Sequence, residues 1–99
     1  MNKDVLLCPL CDREIPEGKG SAHHLVPRMY KGKETVKLHK VCHKQIHALI
    51  TEQELNQYYY TIERLKSHKK LGGFIRWVKN KDIHFNSKTK MSNHVKRKR

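Results

Sequence analysis

The chain has 99 residues, with 22 Lys and Arg against 9 Asp and Glu for a formal net charge of +13, and 36% of its residues are hydrophobic. A single domain of this size has a small core and commonly needs a staple: a disulfide, a metal or a partner. Three cysteines cannot all pair with one another, and neither an apolar secretory leader nor an apolar run of ~18 residues is read, so disulfides and a membrane span are not expected. Eight histidines beside the cysteines make metal the expected staple, and the charge points to an anionic partner, most simply nucleic acid.

Val5-Leu6-Leu7 is a short apolar stretch that runs into Cys8-Pro9-Leu10-Cys11, with a second turn at Ile15-Pro16. Residues 17–22 read as a loop. His23-His24-Leu25-Val26 is strand-like and is stopped by Pro27, Tyr30–Lys33 reads as a turn, and Thr35-Val36-Lys37-Leu38 alternates, so 23–38 is a predicted β-hairpin with a long loop. From Val41 the spacing turns helical, with Ile46, Leu49 and Ile50 on one face. Thr51-Glu52-Gln53-Glu54 fits a capping box, and the helix it opens carries Leu55, Tyr58 or Tyr59, Ile62 and Leu65 on one stripe. Gly72-Gly73 is expected to break the chain before a short apolar helix (Phe74, Ile75, Trp77, Val78) that docks back on the core. Tyr58, Tyr59, Tyr60 and Trp77 could stack on bases, but at helical spacing they read as core or partly buried.

Residues 79–99 carry eight Lys or Arg (Lys79, Lys81, Lys88, Lys90, Lys96, Arg97, Lys98, Arg99) and one acid, Asp82. With few apolar residues beyond Asp82 (Ile83, Phe85, Met91, Val95), most of this stretch reads as a flexible basic arm whose phosphate affinity falls with salt. The expected organisation is therefore one domain over 1–78, with its core at 8–50, followed by the arm.

Cys8-x-x-Cys11 has the spacing of a zinc knuckle, and His39-Lys40-Val41-Cys42 supplies a second pair. Together they would form a structural Cys₃His zinc site joining the N-terminal segment to the start of the helix. His43 is the other candidate for the fourth ligand. Consecutive helical residues such as Cys42 and His43, however, diverge by roughly 100° and suit two different ions. His43 and His47, four apart, share a helical face with Cβ atoms about 6 Å apart, a good span for one metal. His23 and His24 are adjacent on a strand and face opposite ways, so one can bind metal while its neighbour acts nearby.

Cys-x-x-Cys, then His-His-Leu-Val-Pro-Arg, then Thr-Val-x-Leu-His-x-x-Cys-His-x-x-x-His resembles the HNH (ββα-metal) nuclease family in its small zinc-containing bacterial and phage form, over residues 8–50. Glu54-Leu55 and Phe74-x-x-Trp77 also look like its stand-alone members. The resemblance implies an α+β fold: a ββα-metal hairpin–helix core with an N-terminal zinc knuckle and two additional C-terminal helices. It implies a cytoplasmic, metal-dependent endonuclease that hydrolyses DNA phosphodiesters. His23, His43 and His47 match the catalytic-metal ligands, and His24 matches the general base that activates water. Arg28, four residues on, is placed to hold a phosphate oxygen. The family's middle Asn, which fixes the hairpin and orients the general base, falls on Glu34; Glu34 or Thr35 could bond the same backbone, or the Glu34 carboxylate could instead orient His24 directly or bind metal. Three imidazoles suit Zn²⁺, Ni²⁺, Co²⁺ or Mn²⁺ better than Mg²⁺, which members with fewer histidines use alongside Mn²⁺.

With no base-reading module in the sequence, DNA or another nucleic acid would be held through its backbone, and a larger phage or restriction-type protein is a possible partner. The main alternative is a non-catalytic, zinc-stapled nucleic-acid-binding module on the same scaffold. A third reading is an RNA-directed nuclease or toxin domain.

Overall fold

A computed structural model of the chain describes residues 6–86 and 92–98, and its architecture builds outward from the first cysteine pair. Leu7 and Glu14 form an isolated antiparallel bridge. Inside it, the Cys8 N–H donates to Arg13 O at 2.9 Å and the Asp12 N–H to Cys8 O at 2.7 Å. Asp12 closes the turn at φ 61°, a left-handed conformation that Asp adopts more readily than most residues. Cys8, Leu10 and Cys11 are buried by this closure, while Leu6 and Leu7 stay exposed.

Strands β1 (Gly20–His24) and β2 (Thr35–His39) pair antiparallel, from Gly20 opposite His39 to His24 opposite Thr35. Alternation sets Ser21, His23, Val36 and Leu38 on one face, and His23 and Leu38 are fully buried there. The connecting loop contains a 3₁₀ turn, Arg28–Tyr30, and doubles back tightly. A Cβ on Gly32 would stand 1.7 Å from the Val26 carbonyl oxygen, so no other residue fits that crossing.

Helix α1 (Lys40–Leu49) follows β2 without a linker, completing a strand–strand–helix unit. Val41, Cys42, Ile46 and Ala48 are its buried residues. The capping box at Thr51 is present: Thr51 Oγ1 accepts the Glu54 N–H at 3.1 Å, and Glu54 Oε1 accepts the Thr51 N–H at 2.9 Å. It opens α2 (Glu52–Gln57), which is shorter than the continuous stripe predicts. Three consecutive tyrosines have modest helix propensity. The Thr61 hydroxyl then accepts the Arg64 N–H at 3.1 Å and starts a new helix, α3 (Ile62–Ser67). Leu55 and Leu65 are both fully buried, so the stripe survives although the backbone breaks between them.

Gly72 and Gly73 do not break the chain. They lie inside α4 (Lys69–Val78), whose N-terminus is capped by the His68 ring accepting the Leu71 N–H at 3.1 Å. Gly72 is buried against α3, where a Cβ would sit 3.0 Å from the Lys66 carbonyl oxygen. The glycine thus serves close packing. Ile75 and Val78 dock on the core as expected, whereas Tyr58, Tyr60 and Trp77 are exposed.

Helix α5 (Asn93–Lys98) brings the helices after α1 to four among the described residues, against the two expected. The segment read as a basic arm is not free of the domain. Phe85 packs against the core, the Ser92 N–H donates to Ala48 O at 2.8 Å, and Val95 is buried. Lys88, Lys90, Met91 and Arg99 of that segment lie outside the described residues. No helix of the described residues is long and apolar enough to cross a membrane.

Candidate metal centres

The Cys8–Cys11 turn, the end of β2 and the first turn of α1 bring Cys8, Cys11, His39 and Cys42 together. All four are buried, and their ligand atoms lie within 4.8 Å of one another. Cys11 Sγ and His39 Nδ1 are 3.4 Å apart. Tetrahedral ligands at zinc–nitrogen and zinc–sulfur distances would stand about 3.6 Å apart, so the spacing fits. Hydrogen bonds from the Cys42 and Cys8 thiols, with help from Arg13, hold Cys11 far below the usual thiol range. The same sharing with Cys11, with burial, pushes Cys42 up, and Cys8 is also raised. The four residues could hold a metal ion such as zinc.

A second group forms on the other flank of α1. His23 projects inward from β1, and His43 and His47 stack one turn apart on the helix. The ring centroids are 5.1 Å (His23–His43), 5.6 Å (His23–His47) and 5.0 Å (His43–His47) apart, and their ligand nitrogens also lie within 4.8 Å. Both ring nitrogens of His23 are buried without a hydrogen-bond partner. A buried polar atom left that way is costly unless something binds it. Burial, then the neighbouring His43, His47 and His24, lowers His23 to about 3. Burial, then His47 and His24, lowers His43 to about 4. Burial lowers His47 as well, with Glu52 opposing. All three imidazoles are therefore neutral at pH 7, the form a metal requires.

Ser21, absent from the predicted site, holds one of these histidines. Its Oγ is 2.7 Å from His43 Nδ1. If His43 donates through Nδ1–H, its Nε2 lone pair is free for a metal; the opposite polarity would put the proton on Nε2. Ser21→Ala is expected to weaken Ni²⁺ or Co²⁺ binding at the histidine group about 10-fold or more in a chelator competition, with the cysteine group unaffected. Wild-type affinity in that variant would remove Ser21 from the role.

His24 ends β1 opposite Thr35, half-buried, near enough for its charge to weigh on His23 and His43. It belongs to neither ligand group. Arg28 is exposed on the 3₁₀ turn. Glu34 departs from expectation. Its backbone carbonyl accepts the Leu25 N–H at 3.2 Å and closes the end of the hairpin. Its carboxylate is exposed, without a hydrogen bond or ion pair among the described residues, so it neither orients His24 nor joins a metal group. The hairpin is closed there by the Glu34 backbone and not by its side chain.

The sequence signal for Ser21 is its place two residues before His23, hence on the same strand face. Arg13, whose Nε donates to Cys11 Sγ at 3.3 Å, has no comparable signal.

The chain is 37% identical over 95 residues to the uncharacterized protein YisB of Bacillus subtilis (strain 168), a match covering 94% of this chain and 93% of the relative. No protein-family model matches the chain, and no solved structure matches it.

Proposed function

The chain belongs to the family of YisB, and we propose that it is a metal-dependent endonuclease of HNH type that hydrolyses DNA phosphodiesters. The observation that carries the reading is the convergence of His23, His43 and His47, with both His23 ring nitrogens buried and unpartnered and His24 next in the chain. Cys8, Cys11, His39 and Cys42 hold structural zinc in this reading. A divalent ion on the three histidines would neutralise charge on the scissile phosphate and stabilise the leaving 3′ oxygen.

The chain's own groups supply the rest. Ser21 fixes the His43 ring, and the half-buried His24 imidazole takes the proton from the attacking water. The Arg28 side chain, exposed and without a hydrogen bond or ion pair among the described residues, is available to a phosphate oxygen. The net charge of +13 favours a polyanionic substrate held by its backbone.

The test is supercoiled plasmid incubated with metal-free protein and Mg²⁺, Mn²⁺, Co²⁺, Ni²⁺ or Zn²⁺ in turn. Nicking with at least one ion is expected, more with the ions that accept imidazole than with Mg²⁺. One observation favours the second reading, a non-catalytic nucleic-acid-binding module: the Glu34 carboxylate makes no contact with His24. Salt-sensitive plasmid binding with no nicking in any ion would decide for it.

A further inference from the structure

Apart from histidines, Arg13 is the one charged side chain buried among the described residues, at 9% exposure. A guanidinium remains charged at any pH a protein meets, and burying it without a counter-charge is strongly unfavourable. No carboxylate pairs with it: the ion pairs of the described residues join Lys79 to Asp12 and His94 to Glu54. Its partners are of another kind. Nε donates to Cys11 Sγ at 3.3 Å, while Nη1 donates to Lys81 O at 3.2 Å and to Asp82 O at 2.7 Å. Nη2 is buried without a partner.

Three thiolates and a neutral imidazole around a divalent ion sum to one negative charge, most of it on sulfur. That is the counter-charge a buried guanidinium needs. We propose that Arg13 balances the charge of the cysteine centre and, through the same guanidinium, latches residues 79–86 to it. The proposal rests on the reading of Cys8, Cys11, His39 and Cys42 as a metal centre.

The latch follows from the shape of the group. A guanidinium is planar and rigid, so its Nε and Nη1 contacts move together. One contact faces a ligand sulfur. The other faces two carbonyls just beyond α4, where the Lys81 N–H donates back to Val78 O at 2.9 Å. None of residues 79–86 is itself fully buried. The Lys79–Asp12 pair, at 3.4 Å, is largely exposed and contributes little, and Phe85 is only partly buried. Linkage then makes the effect reciprocal. Whatever factor the docked Arg13 adds to metal affinity, the metal adds to the docking of Lys81 and Asp82.

The test uses the full chain and two readouts besides activity: zinc affinity by chelator competition, and amide hydrogen exchange across 79–86. Arg13→Met keeps length and apolar bulk without the charge. It is expected to weaken zinc binding at the cysteine centre about 10- to 100-fold and, when loaded, to speed exchange in 79–86 about 10-fold or more. Arg13→Lys keeps the charge without the fork, so zinc affinity should stay within a few-fold of wild type while 79–86 exchanges as fast as in Arg13→Met. Chelating the wild-type protein should also speed exchange there.

Wild-type zinc affinity in Arg13→Met, or protected 79–86 amides in either loaded variant, would overturn the proposal. Should Arg13→Met fail to fold, Arg13→Lys alone decides the latch. Cobalt substitution separates the deeper failure: a wild-type chain that gives no thiolate-to-cobalt charge-transfer band has no metal centre, and the proposal falls with it.

Discussion

His24→Ala is expected to retain the fold, both metal groups and DNA binding, and to nick plasmid about 10²–10⁴-fold more slowly than wild type. The expectation rests on how differently β1 treats its last two residues. His23 is fully buried, with a ring nitrogen within 4.8 Å of one on His43 and one on His47. His24, one residue on, is half-buried and belongs to neither ligand group. Removing its ring opens no core cavity and takes no ligand from an ion. His23→Ala should instead lose one bound ion per chain together with cleavage. Single-turnover nicking, metal content and circular dichroism on the two variants distinguish these outcomes. A wild-type nicking rate in His24→Ala would remove it as the base, and loss of a metal ion in the same variant would reassign it to metal binding.

Much of this geometry is legible in the sequence because it is local. Alternation at Thr35–Leu38 marks β2, Thr51 and Glu54 mark the start of α2, and a four-residue step on one helix puts His43 beside His47. The divergence of Cys42 from His43 likewise sends them to different groups. What the sequence hides depends on distant partners. The stripe through Leu55 and Leu65 looks like one helix because both residues do face the core; the break between them is set by the Thr61 cap. Gly72-Gly73 looks like a breaker because glycine is a poor helix former, and the close approach of α3 to Gly72 has no trace in local composition. Arg13 is one basic residue among 22 until the fold buries it between Cys11 and the carbonyls of Lys81 and Asp82. The basic segment after Asp82 lacks the apolar content of a core element. Even so, Val95 is buried, and His94 Nε2 lies 2.9 Å from Glu54 Oε1.

Cys42→Ala is expected to destabilise the chain far beyond the volume it removes. Cys42 is fully buried in the core cluster with Leu10, Leu38, Val41 and Ile46, where the knuckle, the hairpin and α1 meet. Trimming a thiol to a methyl group leaves a small void, a cost on the order of 1 kcal/mol. Losing a ligand of a structural metal is the larger effect. Such a site contributes roughly 10–16 kcal/mol of apparent binding free energy in small zinc domains, as much as the entire stability of many single domains. A loss of even about 3 kcal/mol would lower Tm by roughly 12 °C or more in a domain of this length. The variant should therefore melt at least that far below wild type, and chelation should bring the wild-type protein to a similar Tm. His47→Ala is the control: it disrupts the histidine group at a partly exposed position and should cost cleavage with a much smaller change in Tm. If Cys42→Ala melts within about 2 °C of wild type, a shift of well under 1 kcal/mol, the cysteine group is only a packed thiol cluster. The counter-charge assigned to Arg13 would then have to be sought elsewhere.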